Sequence, residues 1–137
     1  MDLSFQEKSL WLMLASLVAV FGFYFWAVLP SPAVDVMPNQ MGPFIVAVVA
    51  LVVVQVVGHI VIAIADRRTA TDERDRLIGL KGTRNAGYVL ATGVFFALCT
   101  ALATRGNFIF CHVLLGSWVA AQLVDIASQL YYYRRGA

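Results

Sequence analysis

Charge is what this sequence has least of. Only 13% of its 137 residues are charged, whereas about 25% is usual for a soluble globular domain. Hydrophobic residues make up 61% of the chain. A soluble protein of this size could not cover so much apolar surface with polar side chains, so the composition excludes an ordinary soluble domain and indicates a membrane protein.

Residues that carry catalysis or bind metals are also scarce. The chain has two cysteines and two histidines. It contains no phosphate-binding loop, zinc-protease signature, nucleophile elbow or dinucleotide-binding fingerprint. We therefore expect no enzymatic activity and no cofactor, and we expect membrane lipids rather than nucleic acid as partners.

Four apolar segments are long enough to cross a bilayer, which takes about 20 residues. Backbone amides in lipid must be satisfied within the segment, so each is predicted to be a helix. The sequence predicts an all-α fold: one transmembrane domain, an integral membrane antiparallel four-helix bundle. The predicted spans are 9–29, 44–65, 87–104 and 108–132.

The first span could instead be a signal peptide, because Ser31 to Ala33 has small residues like those of a cleavage site. Its apolar run from Ser9 to Leu29 is longer than the roughly 7–15 residues of such a segment. The residues before it carry two acidic side chains and one lysine. We therefore expect a retained helix.

The distribution of basic residues predicts the orientation. Every lysine and arginine except Arg105 lies in the 66–86 link or near a terminus. Basic residues near membrane spans are retained on the cytoplasmic side. The sequence thus predicts a multi-pass protein with both termini and the 66–86 loop in the cytoplasm.

The charged link is predicted to form a short amphipathic interfacial helix between helices two and three. Thr71 is placed to cap it, and Leu77, Ile78 and Leu80 supply an apolar face. We expect the chain to turn into the third span near Gly87. The link would either anchor the protein to lipid or bind a cytoplasmic protein partner or a lipid headgroup. The candidate surface consists of Asp72, Glu73, Arg74, Arg76, Lys81 and Arg84.

The run DERDRLIGLKGTRNAGYVL, residues 72–90, lies between two hydrophobic spans. It resembles small four-span bacterial inner-membrane proteins of unknown function, in which a DERDxxI-type segment precedes the third helix. The resemblance implies a bacterial inner-membrane location and a four-helix layout. It implies no activity.

Polar residues inside the spans form a second candidate site, because such residues are costly in lipid. His59 and Asp125 have similar predicted depths in the cytoplasmic half and could form a couple. One interpretation is structural, with polar side chains joining helices. The other is a cavity open to the cytoplasm that carries protons or ions. The candidate intramembrane polar cluster is Gln55, His59, Gln122 and Asp125.

Near the opposite side, Cys99 on helix three is expected level with Cys111 and His112 on helix four. The cysteines could be small buried apolar residues, could form a disulfide, or could bind a soft metal together with His112. The spacing matches no established metal-site pattern. We therefore predict no metal and keep the three residues as weak candidates.

Small residues recur every four positions on the last two helices, which lets helices approach closely. We expect helices three and four to form a tight hairpin, or the same stripe to support a homodimer. The leading functional prediction is a non-enzymatic interaction or regulatory protein acting through its 66–86 segment. The alternative is a small proton- or ion-coupled transporter or channel-like oligomer that uses His59 and Asp125. The small residues are Gly93, Ala97, Ala101, Gly116 and Ala120.

Overall fold

The computed structural model of the chain describes residues 4–65 and 72–135. These residues form four α-helices and no strands, which confirms the all-α prediction. Each helix is long and apolar enough to cross a membrane. The helices are α1 (Phe5–Val28), α2 (Pro38–Ala65), α3 (Glu73–Ala103) and α4 (Phe108–Arg135).

The third helix differs from the prediction. α3 runs without interruption from Glu73 to Ala103, so the predicted turn near Gly87 and the separate short helix are wrong. The predicted cap, Thr71, lies outside the described residues. Asp72 caps the helix instead, because its carboxylate accepts the Asp75 backbone N–H at 2.8 Å and Asp75 returns the contact to the Asp72 N–H at 3.2 Å. This reciprocal capping box stabilises the helix start.

The helices pack in the spatial order α2, α1, α4, α3. α3 packs most extensively on α4, while α1 contacts both α2 and α4. α2 and α3 have no comparable contact with each other, so each packs extensively on one helix and keeps a large uncovered face. The core lies between α1 and α4, where Leu17, Phe21, Tyr24, Val119 and Ile126 are buried.

The close packing of α3 on α4 confirms the predicted hairpin. Gly93 allows this approach, since a Cβ at that position would overlap Ser117 of α4. Ala97 is 0% exposed, whereas Ala101 is exposed and lies outside the contact. The contact extends toward the start of α3, where Asn85 Nδ2 donates to Ser128 Oγ over 3.1 Å.

One end of the molecule, called the loop end here, holds the two linkers 29–37 and 104–107. The Val36 N–H donates to Asn107 Oδ1 at 2.8 Å, and the Asn107 N–H donates to Asp35 Oδ1 at 3.1 Å. Gly106 has a φ of 75°, and a Cβ there would meet the Val34 carbonyl oxygen. These contacts join both linkers. The other end, called the terminal end, holds Ser4, the start of α3 and the end of α4.

Candidate functional site

Four polar side chains join α1 to α2. Gln55 Nε2 donates to Ser16 Oγ over 2.8 Å, and Ser9 Oγ is hydrogen-bonded to His59 Nε2. His59 Nδ1 lies 2.7 Å from the Gln55 carbonyl oxygen. Since a carbonyl only accepts, Nδ1 is the donor of this contact, and Nε2 faces the Ser9 hydroxyl, which can donate to it. His59 thus has a partner at both nitrogens.

These residues have the features of a structural contact between membrane helices. Gly58 lies between the two polar residues of α2 and faces Leu12, so the helices approach closely there. Ser16 Oγ also donates to the Leu12 carbonyl at 2.8 Å. One polar atom is left over, because Gln55 Oε1 is buried without a hydrogen-bond partner.

Asp125 belongs to a different interface. Gln129 Nε2 donates to Asp125 Oδ1 over 2.8 Å within α4. Gly82 of α3 packs against both side chains, and a Cβ there would overlap the Asp125 carboxylate and lie 2.7 Å from Gln129 Cγ. The glycine therefore makes the room that the carboxylate occupies. Gln122 is half-buried on the same helix.

His59 and Asp125 do not form the predicted couple. His59 is bonded to α1, Asp125 faces α3, and α2 has no extensive contact with α4. Counting residues along each helix gives similar depths, but depth does not fix the rotation of a helix about its axis. Gln55 and His59 therefore lie on one interface, and Asp125 on another.

At the terminal end, the last turn of α4 is tied to α3. The Tyr133 hydroxyl donates to Asp75 Oδ1 over 2.7 Å, and Arg74 Nη2 donates to the Tyr133 carbonyl oxygen at 3.3 Å. Lys81 Nζ lies 5.1 Å from the centre of the Tyr132 ring. Such cation–π contacts contribute about 0.5–1 kcal/mol at exposed sites.

Sequence reasoning missed Asp75 and Tyr133. Asp75 had a detectable signal, since Asp72 and Asp75 are three residues apart, as in a capping box. Tyr133 had none that separates it from the neighbouring tyrosines. Ser9, the partner of His59, was counted only as the start of the first span, although its hydroxyl is the contact that holds the imidazole.

The six residues predicted as a partner or lipid surface divide into two groups. Asp72, Arg74 and Lys81 are engaged in the contacts within the molecule described above. Glu73, Arg76 and Arg84 remain exposed.

Two leucines lie among these exposed charges. Leu77 is 54% exposed and Leu80 is 61% exposed. Both precede the third predicted span, so they lie outside the segment that is predicted to contact lipid tails. Within residues 4–65 and 72–135, the side chains of Arg76 and Arg84 make no hydrogen bond or ion pair. We call Arg76, Leu77, Leu80 and Arg84 the α3 outer face.

The weak metal candidates do not come together. Cys99 and Cys111 are free thiols, and Cys99 is exposed. Cys99 follows the fully buried Ala97 by two residues, which places it about 200° around the helix, away from α4. No group of three or more metal-binding side chains is found in the described ranges 4–65 and 72–135. His112 instead bonds Tyr24, with Tyr24 Oη 3.2 Å from His112 Nε2.

A cavity of about 690 Å³ lies near the loop end, on the side where α2 and α3 are apart. Its walls are mostly apolar, and all four helices contribute to it. Tyr24 and the His112 ring stack with an interplanar angle of 7°. We call this space the aromatic cavity; its aromatic lining residues are Tyr24, Phe44, His112 and Trp118.

Comparisons with known proteins do not identify the chain. No protein-family model matches it, no curated protein is detectably similar to it, and no solved structure matches its fold. The resemblance of residues 72–90 to small four-span bacterial proteins therefore stays a prediction. What the four long apolar helices establish is a multi-pass membrane protein.

Proposed function

We propose that this membrane protein is a non-enzymatic interaction protein that binds an acidic, amphipathic helix of a cytoplasmic partner on the α3 outer face. The observation that carries the proposal is the unbroken course of α3 through Gly87. A segment that continues a transmembrane helix leaves the hydrocarbon along the helix axis and passes the headgroups toward the cytoplasm, whereas a separate amphipathic helix would lie in the interface.

The length of α3 supports this arrangement. Its 31 residues correspond to about 46 Å at about 1.5 Å per residue. The hydrocarbon layer is about 30 Å thick. Since the apolar part of α3 begins near Gly87, the part from Glu73 to Arg84 projects beyond the hydrocarbon. Its inner side packs on the last turns of α4, where the Tyr133 hydroxyl donates to Asp75, and Ile78 on this part of α3 is 0% exposed.

The basic residues favour a cytoplasmic location for the terminal end. Arg105 lies at the loop end, and the other basic residues described belong to the terminal end. The positive-inside rule then places both termini and the start of α3 in the cytoplasm, with the four helices crossing antiparallel. The resemblance of residues 72–90 adds a bacterial inner membrane as the location.

The chemistry of the α3 outer face selects the partner. Two leucines flanked by two free guanidinium groups, with the exposed carboxylate of Glu73 one turn before Arg76, fit a helix with an apolar stripe and mainly acidic flanks. A second copy of this chain in parallel contact would bring Arg76 and Arg84 close to their equivalents, and like charges oppose that contact.

The alternative function, transport of protons or ions through a His59–Asp125 couple, is not supported, because the two side chains lie on separate interfaces. No other observation on the described residues favours transport, so we propose the interaction function only.

A photo-crosslinking residue at Leu80, in the intact membrane, tests the proposal. We expect a protein adduct in which the attached peptide is an acidic amphipathic helix, and we expect Arg76→Glu with Arg84→Glu to abolish it. Arg105→Glu, at the loop end, is the matched charge-reversal control. The same crosslinker at Leu102, which is 91% exposed, reports lipid contact. Lipid adducts alone at both positions would refute the partner and leave an anchor.

A further inference from the structure

Two residues that line the aromatic cavity carry amide donors that no other part of the described chain uses. These residues are Gln40 and Asn107. The Gln40 Oε1 atom accepts the Met37 N–H at 3.0 Å, and Asn107 Oδ1 accepts the Val36 N–H at 2.8 Å. A backbone N–H only donates, so these bonds fix which end of each amide is the oxygen. The other atom of each side-chain amide is therefore the NH₂ nitrogen.

Neither NH₂ group has a hydrogen-bond partner among residues 4–65 and 72–135. Gln40 is buried, and its Nε2 atom is not among the buried side-chain atoms that lack a partner, so this atom still reaches open space. Asn107 is exposed. A ligand in the cavity could therefore meet two fixed donors at one end, and its acceptors would complete their hydrogen bonding.

The walls of the cavity indicate the shape of that ligand. Aromatic side chains from three helices line the cavity: Tyr24 on α1, Phe44 on α2 and Trp118 on α4. Such rings favour a flat, conjugated partner over a flexible chain. The volume of about 690 Å³ falls within the range of about 300–1,000 Å³ usual for small-molecule sites.

The cavity is also open in a direction that suits a lipid-soluble molecule. Leu90 of α3 and Phe44 of α2 both line it, and these helices have no extensive contact with each other. A hydrocarbon tail can leave through the gap between them into the bilayer. A water-soluble ligand would have no use for that opening.

We propose that the aromatic cavity binds a lipid-soluble quinone, with one of its carbonyl oxygens accepting hydrogen bonds from Gln40 Nε2 and Asn107 Nδ2. This inference concerns the loop end and is independent of the partner proposed for the α3 outer face. It concerns binding of the ring and involves no electron transfer.

Two isosteric substitutions test the donors without removing the contacts that hold the loops. Gln40→Glu and Asn107→Asp each keep an oxygen for the backbone N–H and replace the NH₂ donor with an acceptor. Asn39→Asp is the control, because Asn39 is exposed and does not line the cavity. Each variant is compared with the parent by thermal unfolding, so that a folding defect is detected.

The probe is a decyl-substituted benzoquinone added to the protein in phospholipid nanodiscs. Binding is followed by quenching of Trp118 in a Trp11→Phe, Trp26→Phe background. We expect saturable quenching that weakens by at least about tenfold in the Gln40→Glu, Asn107→Asp double variant, and that is unchanged in Asn39→Asp. Leu115→Phe, which fills the cavity, should also weaken it.

Three results would overturn the proposal. The first is quenching that rises linearly without saturation, which is collision in the bilayer. The second is equal affinity in a folded double variant. The third is displacement of the quinone by a short-chain ester phospholipid of equal potency, which would make the cavity a general site for lipid carbonyls.

Discussion

Replacing Gly93 with alanine tests whether α3 and α4 are held together by close backbone approach. The new Cβ would overlap the Cβ and Oγ of Ser117 and lie 3.3 Å from its Cα. The Ser117 Cβ is attached to the backbone and cannot rotate away, so one helix must move. Overpacking of this kind costs about 1–3 kcal/mol, while alanine in place of glycine inside a helix gains about 1 kcal/mol.

Gly87→Ala is the matched control, because nothing lies within 4 Å of a Cβ at that position in the same helix. It should show only the gain of about 1 kcal/mol. The free energy of unfolding of the two variants should therefore differ by about 1–3 kcal/mol. Reversible unfolding in mixed detergent micelles measures this difference.

A double variant locates the effect. Gly93→Ala combined with Ser117→Gly restores the space, so the two substitutions should be coupled by about 0.5–3 kcal/mol in a thermodynamic cycle. Equal unfolding free energies for Gly93→Ala and Gly87→Ala, or strictly additive effects in the cycle, would refute the close contact of α3 with α4.

Three further substitutions test the polar contacts by the same unfolding measurement. Ser9→Ala should destabilise by about 1–3 kcal/mol, because it leaves the His59 acceptor without a donor; an unchanged midpoint would contradict the α1–α2 contact. Tyr133→Phe should lose about 1 kcal/mol with its bond to Asp75, and a Tyr132→Phe control should lose less. Asn107→Ala should destabilise by about 1–2 kcal/mol by releasing the Val36 N–H; no loss would show that the two linkers are not joined.

The fold could be predicted from the sequence because each span carries its own signal. Apolar length and the need to satisfy the backbone within one segment define a transmembrane helix without any tertiary contact. The hairpin of α3 and α4 was also predictable, since small residues at four-residue spacing have a direct packing consequence.

The course of the chain around Gly87 was not predictable in the same way. Gly79 and Gly82 lower helix propensity, and a turn into the third span was expected near Gly87. Tertiary packing reverses that expectation at Gly82, which faces Asp125 and Gln129 and allows α3 to follow α4 beyond the apolar span. Propensity is a local property and contains no information about the neighbouring helix.

The predicted couple of His59 and Asp125 was wrong for a geometric reason. A residue count fixes the height of His59 and Asp125 along their helices but leaves open the direction in which each side chain points. That direction depends on the order in which the helices pack, and neither hydropathy nor charge encodes that α1 stands between α2 and α4.

Polar and small residues occur together at two of the helix contacts. This pairing distinguishes polar side chains that join two helices from polar side chains that could bind another molecule. Lipid supplies no hydrophobic drive for association, so membrane helices need close packing and hydrogen bonds. Gly58 accompanies His59 and Ser9 between α1 and α2. Gly82 and Gly93 accompany Asn85 and Ser128 between α3 and α4.

Polar groups without that companion require another explanation. The guanidinium groups of Arg76 and Arg84 project from the uncovered face of α3. The amide donors of Gln40 and Asn107 adjoin a cavity rather than a neighbouring helix. Neither pair stabilises a contact between helices. We therefore infer that these groups bind an external molecule. The function of the protein should therefore be sought at these two sites before the histidine and the aspartate inside the spans.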